Sequence, residues 1–320
     1  CFVNKLCAFV PMIPLLPKYL FYAIQSEFFK KQFDAKKHGL IGGVSLKDVA
    51  ANYIPLAPLA QQKIIVDRIE SLLSKLDEAK EKAQAVIDSF ETRKAAILHK
   101  AFSGELTSKW REENGVSIDS WERKQISECC KSGSGGTPSR KNSDYYTGNI
   151  PWIKTGEINW DTVDYSEEMI TQEAIDNSSA KLYKPGAVLV AMYGMGKTRG
   201  KAAILGVEAA TNQAVCVLQP KTELFNRFLF YFFMCNYWDI REQAVGGNQL
   251  NLSATIIGKL SIMMPTRAEQ EEISRLLDII LEKENEAKEV AESIIEQIDM
   301  MKKSILSRAF RGELGTNDPS

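Results

Sequence analysis

Residues 93–107, RKAAILHKAFSGELT, and residues 301–315, MKKSILSRAFRGELG, are identical at eight of fifteen positions, at a constant offset of 208 residues. The same offset carries Gln62 onto Gln270 and Ile65 onto Ile273. Upstream, LPKYLFYAIQSEFFKKQFDAKKHGLIGGVSL from Leu16 parallels LFNRFLFYFFMCNYWDIREQAVGGNQLNL from Leu224 with small gaps. Self-similarity at a fixed period marks an internal duplication. Each copy therefore follows one plan, a globular stretch and then a long helix opened by a proline. The first copy has no counterpart to residues 130–210, so it is expected to hold only the later part of its globular domain.

Each quoted stretch closes a long amphipathic pattern. Between Pro58 and Phe102 the apolar positions Ile65, Ile69, Leu72, Leu76, Ala83, Phe90, Ile97 and Ala101 recur at helical steps, with no internal Gly or Pro. From Glu269 to Phe310 the pattern returns through Ile273, Leu277, Leu281, Ile294, Ile298 and Ile305. Gly104 and Gly312 are placed to stop the two helices. Roughly forty residues each, at about 1.5 Å per residue, makes two rods of about 60 Å. A rod with one apolar seam needs a partner, and the duplication supplies one, in a parallel or antiparallel coiled-coil-like pair.

Residues 108–265 read differently. ISECC, IPWI, AVLVAMY, KAAIL and AVCVLQP are short apolar runs separated by Gly, Asn, Ser and Pro clusters, and residues 224–244 read as one aromatic helix. The fold class expected is α+β, strand-rich domains with helices joined to two long helices, with a pseudo-twofold duplication.

Composition sets limits on function. The 320 residues are 44% hydrophobic and 25% charged, which excludes wholesale disorder. Forty basic against 41 acidic residues leave a net charge of -1, so any surface for nucleic acid must be local. Six cysteines without a CxxC pair suit a reducing compartment, and two histidines argue against a histidine-rich metal site. The apolar N-terminal stretch is broken by Pro11, Pro14 and Pro17, and it matches an interior segment, so neither a targeting peptide nor a membrane span is expected.

Three loops carry candidate chemistry. The segment AMYGMGKT, residues 191–198, satisfies a relaxed phosphate-loop pattern, with Lys197 and Thr198 in the phosphate and magnesium positions. The strand-like KAAIL that follows favours a hairpin instead, whose tip presents Lys197, Thr198, Arg199 and Lys201. A second polar loop holds Thr137, Pro138, Ser139, Arg140 and Lys141, followed by Tyr145, Lys154 and Thr155; a third is Gly246, Gly247, Asn248 and Gln249. Lys and Arg contact phosphates, and Asn, Gln, Arg and Lys suit pairing to base edges. Asn212 and Gln213 read as polar residues fixing a turn. No methyltransferase tetrad, dinucleotide fingerprint or nucleophile elbow is present in the sequence.

The order of motifs IPLAPLAQQKIIVDRIE, AFSGELT, SWERKQISE, GGTPSR, IPWIKTGEI, KPGAVLVAMYG, ATNQAVCVL, GGNQLNLS, PTRAEQEEI and AFRGEL resembles the specificity subunit of type I restriction-modification systems, over essentially the whole chain. The resemblance implies target-recognition domains that each read half of a bipartite double-stranded DNA sequence, separated by two conserved spacer helices. It divides the chain into residues 1–57, the C-terminal part of a first recognition domain; 58–107, a first spacer helix; 108–265, a second recognition domain; and 266–320, a second spacer helix and tail. It further implies a non-catalytic, cytoplasmic subunit with no membrane partner and no cofactor of its own. Two methyltransferase subunits would dock on the helices and restriction/translocase subunits would join through the complex, with S-adenosylmethionine, ATP and Mg on those partners. A phosphate-loop nucleotide hydrolase with helical arms and a coiled-coil protein scaffold stand as alternatives.

Overall fold

The computed structural model describes residues 8–38, 43–194, 196–245 and 251–314. They form two compact units, Cys1–Phe90 with Asn285–Ser320, and Glu91–Glu284. In chain order, α1 (Pro17–Gln25), α2 (Glu27–Asp34) and α3 (Leu46–Ala50) precede α4 (Leu59–Phe102), which enters the second unit at Glu91. Then come α5 (Ser108–Asn114), β1 (Glu122–Gln125), α6 (Ile126–Cys129), β2 (Cys130–Ser134), β3 (Ile150–Ile153), β4 (Thr162–Val163), β5 (Met169–Ile170) and α7 (Gln172–Asp176). The chain continues through β6 (Leu182–Tyr183), β7 (Val188–Ala191), β8 (Ala202–Leu205), β9 (Ala209–Thr211) and β10 (Val215–Pro220). Last are α8 (Asn226–Cys235), α9 (Tyr237–Glu242), α10 (Ala254–Gly258), β11 (Ser261–Met264) and α11 (Arg267–Ala309), which returns to the first unit at Asn285. Among the described residues no helix is long and apolar enough to cross a membrane.

The seam read from the sequence is where the long helices pair, and the pairing is antiparallel. In the first unit Lys80 Nζ meets Asp299 Oδ1 at 2.7 Å, Lys302 binds Asp77, and the Lys288 ammonium sits 4.9 Å from the Phe90 ring centre. Ile65, Val66 and Ile69 are buried there with Leu306, Ala309 and Phe310, and with Tyr19 and Ala23 of α1. In the second unit Arg93 Nε donates to Glu284 Oε2 at 2.7 Å, and Leu98 and Ala101 are buried with Leu277 and Leu281. The two helices stop in the same way. Gly104 (φ 81°) and Gly312 (φ 78°) take the left-handed conformation that a side chain would strain.

The duplication reaches individual hydrogen bonds. Fully buried Gln62 accepts from Leu16 N at 2.8 Å and donates to Ala57 O at 2.8 Å and Pro14 O at 3.3 Å. Its mate Gln270, also fully buried, accepts from Phe225 N at 2.8 Å and donates to Pro265 O at 2.9 Å and Glu223 O at 3.0 Å. Two turns along α4 from Gln62, Glu70 holds Lys18 at 2.6 Å and Tyr22 at 3.4 Å. Asp278 in the other unit holds Arg227 Nε at 2.8 Å and the Tyr231 hydroxyl. Lysine with glutamate has become arginine with aspartate, and the joint survives.

The second unit explains why its strands read as unbroken apolar runs. Its five-stranded sheet runs β2-β10-β7-β8-β4, a four-stranded sheet runs β5-β3-β9-β6, and β1 pairs with β11. Successive side chains of a strand face opposite ways. Val188, Val190, Ala202, Ile204, Cys216 and Leu218 pack with α8 and α10, while Leu189, Ala191, Ala203, Leu205, Val215 and Val217 pack with Ile153, Tyr183 and Ala209 of the other sheet. With both faces covered, alternation disappears from the sequence. Two local expectations are corrected. ISECC forms α6 and only its last cysteine opens β2, because Gln125 and Glu128 complete a capping box. The aromatic stretch 224–244 is two helices, because Asn236 ends α8 and begins α9, its amide donating back to Phe232 O at 2.9 Å.

Candidate nucleic-acid interface

Two of the three nominated loops, so far as their residues are described, lie at one end of the second unit's sheets, where β2, β3, β7 and β9 finish and β8 and β10 begin. Backbone bonds lock them together. Gly136 N donates to Thr211 O at 2.9 Å, Asn212 N to Ile153 O at 3.0 Å, Met192 N to Ala214 O at 2.9 Å and Leu252 N to Met192 O at 3.0 Å. The turn after β9 is thus shared by the loop after β2, the end of β3 and the β7–β8 hairpin. Asn212 fixes it by accepting from Ala214 N at 3.1 Å, as read from the sequence, and Gln213 receives the Thr137 hydroxyl. The approach is so close that a Cβ on Gly135 would sit 1.7 Å from Thr211 O. That is why GGTPS begins with two glycines.

Two of the loops bring their cations into defined settings. The Arg140 guanidinium lies 4.2 Å from the Tyr146 ring centre and 5.0 Å from that of Trp152, and Nη2 reaches Glu168 Oε2 at 2.7 Å. Glu168 Oε1 takes Lys154 Nζ at 2.8 Å. Lys154 first, and Arg140 with it, hold the Glu168 carboxyl below its ordinary value, and Glu168 raises Lys154 in return. Thr137, Ser139 and Lys141 are exposed. Pro138 is buried, with its carbonyl accepting from the Tyr146 hydroxyl at 2.7 Å, and half-buried Tyr145 packs against the small cluster of Trp152 and Ile170. Half-buried Thr155 opens a single 3-10 turn, Thr155–Glu157.

The β7–β8 pair is the antiparallel hairpin expected, with Val190 opposite Ala202. After Thr198 the chain turns directly into β8, so no helix stands where a phosphate loop requires one. Lys197 is exposed, Thr198 and Arg199 are half-buried, and Lys201 Nζ donates to Asn159 Oδ1 at 2.5 Å. Burial, and then the like charge of Arg241, hold the Arg199 guanidinium below its ordinary value. Lys197 and Lys201 also rim a cavity of about 460 Å³ walled by Trp160, Tyr237, Trp238 and the Glu91–Leu98 face of α4. The third loop, Gly246, Gly247, Asn248 and Gln249, lies outside the described residues; its flanks, Val245 and Asn251, form an antiparallel bridge.

Sequence reasoning missed Glu168, Asn159, Tyr237 and Arg241. Each meets its partner across fourteen to forty-five positions. Short-range pattern carries no signal at that distance. Among the described residues no group of three or more His, Cys, Asp or Glu is placed to hold a metal ion.

Residues 118–297 match the family described as the type I restriction modification DNA specificity domain. The chain belongs to that family. Over 313 residues it is 21% identical to the type I restriction enzyme StySPI specificity subunit of Salmonella potsdam, covering 93% of this chain and 65% of that protein. Over 162 residues it is 28% identical to the EcoR124I/EcoR124II specificity subunit of Escherichia coli, covering 49% of this chain and 40% of that one. The chain therefore spans less than two thirds of these curated relatives. The HsdS subunit from Thermoanaerobacter tengcongensis shares the fold, with a TM-score of 0.65 at 20% identity, covering 93% of this chain and 70% of that one. A chain from a structure of type I R-M complex assembly and conformational transition aligns with a TM-score of 0.70, also at 20% identity, covering 93% and 71%.

Proposed function

We propose that this chain is the DNA sequence-recognition subunit of a type I restriction-modification complex, non-catalytic in itself. The observation that carries the reading is the convergence of residues 137–142, 154–159, 192–194 and 196–201 at one end of the two sheets, with cations set among aromatic and amide side chains. Fixed cations position a phosphate backbone, and exposed polar loop side chains read base edges. Residues 108–265 are the second recognition domain, residues 1–57 the C-terminal part of the first, and residues 58–107 and 266–320 the spacer helices with the tail.

The spacers are 44 and 43 residues long, and at about 1.5 Å per residue each extends about 65 Å, nearly two DNA helical repeats of about 34 Å. Spacers of that length would leave unread base pairs between half-sites. Methyltransferase subunits would dock on the helices, restriction subunits would join through the complex, and S-adenosylmethionine, ATP and Mg would bind those partners, in the cytoplasm. The hydrolase alternative loses its support with the missing helix after Thr198.

The test is co-expression with the neighbouring methyltransferase subunit in a methylation-free host, with modified adenines mapped by long-read sequencing. A motif that depends on this chain is expected. A stable complex that leaves the genome unmodified would refute the reading for this chain.

A further inference from the structure

The arginine that closes GGTPSR stands at a corner of the chain. Asn142 N donates to Ser139 O at 3.1 Å, which closes a turn and puts Arg140 and Lys141 at its two middle positions. The Arg140 guanidinium then lies over two rings that meet edge to face, with Tyr146 and Trp152 5.9 Å apart between centres. It is 4.2 Å from the first and 5.0 Å from the second. Trp152 is buried and its Nε1 donates to Gly136 O at 2.9 Å, while the Tyr146 hydroxyl donates to Pro138 O at 2.7 Å. Both rings are therefore tied to the same loop that carries Arg140.

The edge of the guanidinium is held as well, with Nη2 2.7 Å from Glu168 Oε2. Glu168 is anchored in turn, because Oε1 takes Lys154 Nζ at 2.8 Å and its carbonyl accepts from Trp152 N at 2.9 Å. A guanidinium carries five N–H groups in a planar fork. Those of Nε and Nη2 make one parallel pair, and those of Nη1 and Nη2 make another. Glu168 occupies one hydrogen of Nη2, so one parallel pair stays complete whichever hydrogen that is. Neither Nε nor Nη1 meets an acceptor among the described residues. The Arg140 side chain is 54% exposed, so a group fixed in both face and edge remains accessible from outside.

We propose that Arg140 reads a guanine, donating its complete pair of N–H groups to O6 and N7 in the major groove, with Glu168, Tyr146 and Trp152 as positioning residues. The proposal rests on the DNA-recognition reading and names one base contact within it. Two parallel donors suit two partners, the guanine edge and a phosphate. The carboxylate decides between them. A phosphate brought to Arg140 would meet the negative charge of Glu168 beside it, and that charge already offsets one of the two cations it joins. A base edge is uncharged, so it keeps the benefit of oriented donors without the repulsion.

The experiment maps the methylation motif of the full chain with its neighbouring methyltransferase subunit, in a methylation-free host, for wild type and variants. With Arg140→Ala one guanine of the motif should be discriminated about tenfold less, while the other positions hold. Arg140→Gln should move that position toward adenine, whose edge suits glutamine. Glu168→Gln should weaken the preference at the same position, and by less than Arg140→Ala. A second measurement needs no variant. Duplexes carrying 7-deazaguanine, which lacks N7, at each guanine of the motif in turn should bind the wild-type complex about fivefold more weakly at one position. That arm carries the test if Arg140→Ala fails to fold by circular dichroism. An unchanged motif in Arg140→Ala, or 7-deazaguanine duplexes bound like ordinary ones at every position, would overturn the proposal. A loss in Arg140→Ala that is equal for all sequences and lowers the slope of log K against log salt by about one would also overturn it, as the mark of a phosphate contact. A wild-type complex with no motif that depends on this chain would refute the functional reading on which the proposal stands.

Discussion

Arg111→Met should unfold the second unit far more readily than its single change suggests. Arg111 Nη1 meets Glu269 Oε1 at 2.6 Å, and Glu269 is fully buried at the start of α11. The carboxylate also accepts from the Thr107 hydroxyl at 2.7 Å and Trp121 Nε1 at 3.0 Å, while Arg111 Nη2 donates to Gly104 O at 2.6 Å. The network therefore ties the stop of one long helix to the start of the other. Removing the guanidinium leaves a buried charge with only two neutral donors, and breaking such a pair costs about 3–5 kcal/mol. For a unit of this size that is roughly 6–20 °C in Tm. Arg111→Met combined with Glu269→Gln removes the stranded charge, and the new amide can accept from Trp121 through its oxygen while its NH2 donates to the Thr107 hydroxyl, so the double variant should lose only about 1–2 kcal/mol. Urea unfolding followed by tryptophan fluorescence measures both. A double variant no more stable than the single one, or a single variant within 1 kcal/mol of wild type, would refute this account of the network.

The remaining predictions concern the loops, the joints and the thiols. Glu168 has its carboxyl held below the ordinary value of about 4.3, so its stabilising effect is complete above that pH and is lost as pH falls through the lowered value. Melting temperatures of wild type and Glu168→Gln should therefore differ at pH 6 and converge on acidification; parallel profiles would contradict the pairing with Lys154 and Arg140. Gly135→Ala should cost about 1–3 kcal/mol by pushing the loop off Thr211, read by thermal melting, and a neutral effect would disprove the close approach. Arg227→Lys with Asp278→Glu copies the joint of the first unit and should keep stability within about 1 kcal/mol of wild type, whereas Asp278→Ala should lose more. Burial pushes the Cys130 and Cys216 thiols up to about 12, so iodoacetamide at pH 8 should leave both unlabelled by mass spectrometry in the native protein.

Much of this architecture was legible because the sequence states it twice. The repeated helices, their glycine stops and the buried glutamines all follow from one offset, and the bounds of α4 and α11 agree closely with the apolar periodicity. The hairpin was legible because two apolar runs flank a glycine-rich tip. The break at Asn236 was hidden, since aromatic residues on both sides continue the same apolar face across it. Helix direction was also hidden, because an apolar seam is nearly the same read either way; ion pairs such as Lys80 with Asp299 reveal it. The cations of the candidate interface could be named from the loops, but Glu168, Asn159, Tyr237 and Arg241, which meet these loops, are brought close only by the tertiary fold.

The five-stranded sheet has apolar packing on both of its faces, and under the proposed function this bears on how such a protein would change what it recognises. A position inside β7, β8 or β10 has no freedom to vary without repacking one core or the other. Innovation is thereby confined to the exposed rim, where Thr137, Ser139, Lys141 and Lys197 can be rewritten while the frame beneath keeps its shape. The molecule behaves as a type case with interchangeable letters, and libraries randomised only at those exposed positions should yield folded variants with new preferences.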